Sequence, residues 1–129
     1  MSLTTRLQAA SSEYQRLQAD LSNVVEARQR LDAQLSENEI VKKEFATLTP
    51  NNVVFKLVGR VLVKQDQAEA KGNVDKRLEF INGEIKRIET QLQEIEQRSE
   101  KKKMELIELQ AELQQPQRQD GPSRSAVSS

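Results

Sequence analysis

Val53-Val54-Phe55-Lys56-Leu57-Val58, then Gly59-Arg60, then Val61-Leu62-Val63-Lys64-Gln65 is the stretch on which the fold turns. Two runs of β-branched and aromatic residues around a two-residue Gly-X connection predict a β-hairpin. Gly at the first turn position suits a type II′ turn. Along the first strand Val53, Phe55 and Leu57 fall on one face and Val54, Lys56 and Val58 on the other, so both faces are largely apolar. A lone two-stranded hairpin is marginal in water, and its open edges invite pairing with other strands. Val53, Val54, Phe55, Leu57, Val58, Val61, Leu62 and Val63 are therefore the candidate assembly element, and other chains must supply the rest of a sheet or barrel.

Upstream, Leu7, Ala10, Tyr14, Leu17, Leu21, Val24, Arg28, Leu31 and Leu35 recur in alternating steps of three and four. That spacing places one stripe on one face of a helix, with the 3.5-residue period of a coiled-coil seam. No Pro or Gly occurs between Met1 and Thr49. After Leu35 the apolar character passes from the expected seam positions Asn38 and Lys42 to Ile40, Val41, Phe45 and Leu48. This predicts a phase change, the helix turning its face toward another neighbour. Pro50 stops the helix by disfavouring helical geometry in the residue before it, and Asn51 and Asn52 follow as turn residues.

Downstream, Gly72 and Asn73 punctuate, with Asn73 a reasonable N-cap. A second seam follows: Val74, Leu78, Ile81, Ile85, Ile88, Leu92, Ile95, Ser99, Lys102, Leu106, Leu109 and Leu113. Ten of these twelve are apolar where the overall 36% would give about four, so the periodicity is not a product of composition. Gly83 lies opposite the seam. The organisation read from the sequence is residues 1–49 as the first coiled-coil helix, 50–72 as hairpin and connection, 73–115 as the second helix, and 116–129 as a disordered tail rich in Gln, Ser, Pro and Gly.

Two helices of about 40 residues, each roughly 60 Å long at about 1.5 Å per residue, are separated only by a hairpin, and must run antiparallel. The fold class is mainly α: an antiparallel two-helix coiled coil with one β-hairpin between the helices. In such a pair Arg28 is expected to face Ile95 and Ser99, and Asp20 to lie near Lys102, as polar devices that disfavour slipped registers. Met104 and Ile107 fall outside the seam near the chain termini. With Leu3, Leu7 and Leu109 they are the candidate binding tip, because exposed apolar groups mark binding surfaces; ordinary seam packing is the competing role, above all for Leu7, Leu109 and Leu113.

Composition narrows the function classes. Lys plus Arg and Asp plus Glu are both 20, so the net charge is zero, which argues against nucleic acid and against a polybasic membrane surface. There is no Cys and no His, which removes zinc-thiolate sites, disulfides and the commonest acid-base group. No apolar run approaches the roughly 20 residues that span a bilayer, and Met1 to Ala10 lacks the apolar core of a signal peptide. The expectation is a cytoplasmic protein with no catalytic residues, no metal and no cofactor. Glu94 and Glu96 lie on an exposed helix with no cleft to shift their pKa values. Lys101-Lys102-Lys103 reads as a solvated face beside Glu100 and Glu105. Phe80, an off-seam aromatic, is expected to pack beneath the hairpin's assembly.

At the hairpin the sequence becomes specific. NVVFKLVGRVLVKQ (52–65), with GNVDKRLEFINGEIKRIETQL (72–92) and LDAQLSENEIVKKEFATL (31–48), closely resembles the β-class subunits of prefoldin over about residues 3–115. One departure is Arg60, where the family pattern has Pro. The resemblance implies a hetero-hexamer of two α-class and four β-class subunits whose hairpins build a double β-barrel. It also implies coiled coils whose tips capture unfolded clients, notably actin and tubulin, and deliver them to the cytosolic chaperonin without nucleotide. The alternative is a scaffolding coiled-coil subunit of a related assembly that does not touch clients.

Overall fold

A computed structural model describes residues 2–115; the expected disordered tail lies outside the described residues. Helix α1 spans Leu3–Ala46 and helix α2 spans Gln67–Gln114, with strands β1 (Val54–Val58) and β2 (Val61–Gln65) between them. The chain divides into two compact units: residues 24–91, which carry the hairpin, and the terminal helix pair, residues 2–23 with 92–115.

Within residues 24–91 the helices are antiparallel. Arg28 Nη1 lies 2.8 Å from Glu89 Oε1, and Lys42 Nζ lies 3.2 Å from Asp75 Oδ1. Along and just before this stretch the seam of α2 is covered: Ala70, Val74, Leu78, Ile81, Ile85 and Ile88 are all buried. Each large aliphatic side chain so covered contributes about 1.5–3 kcal/mol.

After Leu35 the seam of α1 differs in part from the sequence expectation: Lys42 is exposed and Phe45 and Leu48 are half-buried, as expected, but the seam keeps its phase through Asn38. Asn38 is buried, whereas Ile40 and Val41 are exposed. The physical reason is local hydrogen bonding. Asn38 Nδ2 donates to the Gln34 carbonyl at 2.7 Å, so its amide can occupy a seam position without an orphaned donor.

In the terminal helix pair Ala10, Leu17 and Leu109 are buried, together with Ser99. Gln18 Nε2 donates to Ser99 Oγ at 3.0 Å, which satisfies the buried hydroxyl. The polar pairings therefore differ from those the sequence suggested. Ser99 meets Gln18, not Arg28. Arg28 meets Glu89 and, at 3.7 Å, Asp32 on its own helix. Lys102 bonds Glu105 on its own helix at 2.8 Å, not Asp20. The pairing register follows from the α1–β1 connection, residues 47–53, and the start of α2 at Gln67.

That early start is the other difference. Helix α2 begins at Gln67 rather than at Asn73. Asp66 is the N-cap: its Oδ2 accepts the Glu69 N–H at 3.1 Å and its carbonyl accepts the Ala70 N–H at 2.9 Å. Gly72 sits inside the helix, where it costs about 1 kcal/mol relative to Ala. Capping at Asp66 and burial of Ala70 and Val74 outweigh that cost. At the other end α1 stops at Ala46, and a turn over residues 49–52 with Pro50 second leads into β1; the Asn52 N–H donates to the Thr49 carbonyl at 3.0 Å. Gln67 Nε2 donates to the carbonyls of Thr49 at 2.9 Å and Asn52 at 3.3 Å. The first residue of α2 thereby clamps the loop that ends α1.

Candidate functional site

The hairpin is a two-stranded antiparallel sheet with Val58 opposite Val61 and Val54 opposite Gln65. Gly59 and Arg60 form its two-residue turn. Gly59 has φ +61°, and no other described residue has positive φ. Arg60 thus keeps a negative φ, the pattern of a type II′ turn. A proline ring would impose the same sign, so Arg60 leaves the turn's shape intact.

The apolar side chains on this frame lie open. Phe55, Leu57, Val61 and Leu62 are 55–66% exposed, and Val53, Val58 and Val63 are exposed as well; Val54, at the root of β1, is half-buried. Contiguous apolar surface of this kind marks an interaction site. A strand pair with two open edges also offers unpaired backbone donors and acceptors to another strand. The arrangement can bind polypeptide by burial and ladder hydrogen bonds, which is the chemistry of assembly.

The second set of candidate residues is in the terminal helix pair, and the structure divides it. Met104 and Ile107 are 51% and 50% exposed on α2. Leu3 and Leu7 are half-buried. Leu109 is only 3% exposed; it packs in the seam, so it is core and not a contact surface. Phe80, expected under the hairpin's assembly, is 67% exposed on the hairpin-bearing unit.

Among the described residues the resolved titration shifts arise in surface pairs. The Arg87 guanidinium hydrogen-bonds Glu84 at 2.7 Å and holds its carboxyl below the usual range, while Glu84 in turn raises Arg87. Arg16 is raised by its hydrogen bond and attraction to Glu13. Both pairs are i,i+3 neighbours on exposed helix faces, where such pairs are worth little. Among the described residues no cluster of three or more His, Cys, Asp or Glu is placed to hold a metal ion. No helix among them is long and apolar enough to cross a membrane.

Sequence reasoning missed the Gln67 clamp and the Asp66 cap. The signal for the cap is present in Asp66-Gln67-Ala68-Glu69, a capping-box spacing, but Gly72-Asn73 is the stronger punctuation in the sequence.

Comparison with known proteins agrees with this geometry. The sequence model of the prefoldin subunit family matches residues 8–113. Prefoldin subunit 6 of Mus musculus is 49% identical over 120 residues, covering 93% of this chain and 94% of the relative. Prefoldin subunit 6 of Saccharomyces cerevisiae is 47% identical over 98 residues, 76% of this chain and 86% of the relative. The crystal structure of the prefoldin beta subunit from Thermococcus strain KS-1 superposes with a TM-score of 0.74 at 22% identity, covering 86% of this chain and 95% of that one; it shows the shared fold of two long helices around one hairpin. A hairpin open on both faces between two paired helices, and a match along nearly the whole chain, place this protein in the prefoldin subunit family.

Proposed function

We propose that this prefoldin chaperone subunit works within a cytoplasmic hetero-hexamer of α- and β-class subunits as an ATP-independent holding chaperone. In this reading the hairpin joins an intersubunit β-barrel. The terminal helix pair holds unfolded polypeptides, such as actin and tubulin, for delivery to the cytosolic chaperonin. The observation that carries the assembly half is the exposed hairpin, whose apolar side chains, Val54 apart, lie open among the described residues. The client half is supported by Met104 and Ile107, apolar side chains left outside the seam. A single such contact is weak, and six subunits acting together would gain affinity through effective concentration.

Phe55→Asp with Leu57→Asp tests the assembly half. The variant should stay as helical as the parent by circular dichroism yet run as a monomer when mixed with its sister subunits. A hexamer of normal stability would refute it. A scaffolding role without clients would use the hairpin equally well, and light scattering separates the two. The reconstituted complex should suppress aggregation of a denatured protein at stoichiometric amounts; a complex that assembles but never suppresses is a scaffold.

A further inference from the structure

The register of β1 and β2 sorts the hairpin's side chains into two sets. Phe55 opposite Lys64 and Leu57 opposite Leu62 share one face; Lys56 opposite Val63 and Val58 opposite Val61 share the other. A strand pair in a closed barrel turns one face inward and the other outward, with inner and outer residues alternating. An outer face that meets water is polar. Here the second face carries Val58, Val61 and Val63, each exposed. A barrel interior covers one face only, so the remaining valines need another cover.

The valine face leads into a concavity. At its root Val54 and Gln65 are half-buried. They border a cleft of about 500 Å³ between the hairpin and the helix pair, with Val41, Phe45, Phe55, Ala70 and Val74 among its lining. Val41 is exposed there because the seam stays in phase through Asn38 and leaves it outside. The charged side chains that line the cleft are Lys56 and Arg77, and no carboxylate lines it. Neither cation belongs to an ion pair among the described residues. Phe80, one turn beyond Arg77 on the same helical stripe, is a further exposed apolar side chain.

We propose that this cleft and the valine face form a second docking site, reaching Phe55 at its rim but separate from the Leu57–Leu62 pair, which seats an apolar, carboxylate-bearing segment of a sister subunit. The inference rests on the reading that the hairpin assembles with sister chains. Continuity decides for a sister subunit over a client: the valines share two strands with the face given to the barrel, so whatever fills the cleft must sit beside the assembled sheet. Charge decides the chemistry of the segment, since two unpaired cations over an apolar floor favour carboxylates and reject basic segments.

The test uses the complex reconstituted with its sister subunits, compared across three forms of this chain. Lys56→Glu with Arg77→Glu should raise the concentration at which native mass spectrometry first detects subcomplexes by about tenfold or more, with Lys56→Gln and Arg77→Gln intermediate. In the third form benzoylphenylalanine replaces Val41, and on illumination it should crosslink to an acidic stretch of a sister subunit. An unchanged dissociation profile in the charge-reversed form overturns the proposal. So does a crosslink found only on an added unfolded polypeptide, or on no other chain. Leu57→Asp with Leu62→Asp, neither of which lines the cleft, run alongside, reports separately on the assembly reading: if that variant leaves the complex intact, that reading fails whatever the cleft does.

Discussion

At the scale of single residues, Gly59 has the least freedom to change. It alone among the described residues carries a positive φ, and nothing lies within 4 Å of a Cβ built on it. Space is therefore not the obstacle; backbone strain is. Gly59→Ala should weaken the turn by about 1–3 kcal/mol. Asn tolerates positive φ better than Ala, so Gly59→Asn should fall between the two. Cross-strand NMR contacts between Val58 and Val61 are the direct readout: they should fade in the order Gly, Asn, Ala while helical circular dichroism holds. Equal hairpin signals in all three would show that the turn does not need the conformation Gly59 adopts. Asn38 makes a complementary point. A polar side chain holds a seam position because its own helix supplies a carbonyl, and this is why Ile40 and Val41 are left outside.

At the scale of elements, the long periodic stretches were legible and the joints were not. The seam from Leu7 to Leu35, and the run from Val74 through Ile88, could be read because a coiled coil repeats one physical requirement many times. The hairpin could be read because its turn demands a particular residue at a particular place. The start of α2 could not, because it depends on a competition. Asp66 caps, Ala70 and Val74 bury, and Gly72 opposes, and no periodicity ranks these terms. Cross-helix pairings failed for the same reason, since every partner of Arg28 or Ser99 depends on where α2 starts. The competition can be shifted in both directions. Asp66→Ala removes an N-cap and should cost about 0.5–2 kcal/mol. Gly72→Ala meets nothing within 4 Å and should gain about 1 kcal/mol through helix propensity. Thermal unfolding followed by circular dichroism should show the two midpoints on opposite sides of the parent; a lower midpoint for Gly72→Ala would mean that the glycine serves packing the helix needs.

At the scale of the whole molecule, the contrast between open and covered side chains within the terminal helix pair allows stability and function to be perturbed separately. Met104 and Ile107 are half open to solvent, whereas Leu109, on the same stretch of α2, is core. Replacing the first pair by Ser removes little buried area, so the midpoint of unfolding should stay within about 0.5 kcal/mol of the parent, as surface substitutions do. Leu109→Ala should cost about 2 kcal/mol or more, because a seam leucine is lost and a cavity remains. If the terminal helix pair holds clients through its off-seam side chains, the order of defects reverses in a holding assay. The reconstituted complex carrying Met104→Ser and Ile107→Ser should need more chaperone to prevent a denatured protein from scattering light, although its stability is normal. The Leu109→Ala complex, assayed well below its melting point, should hold nearly as well as the parent. A stable Met104→Ser, Ile107→Ser complex that holds clients undiminished would remove these two side chains from the contact surface, and leave the scaffold reading as the better explanation of the fold.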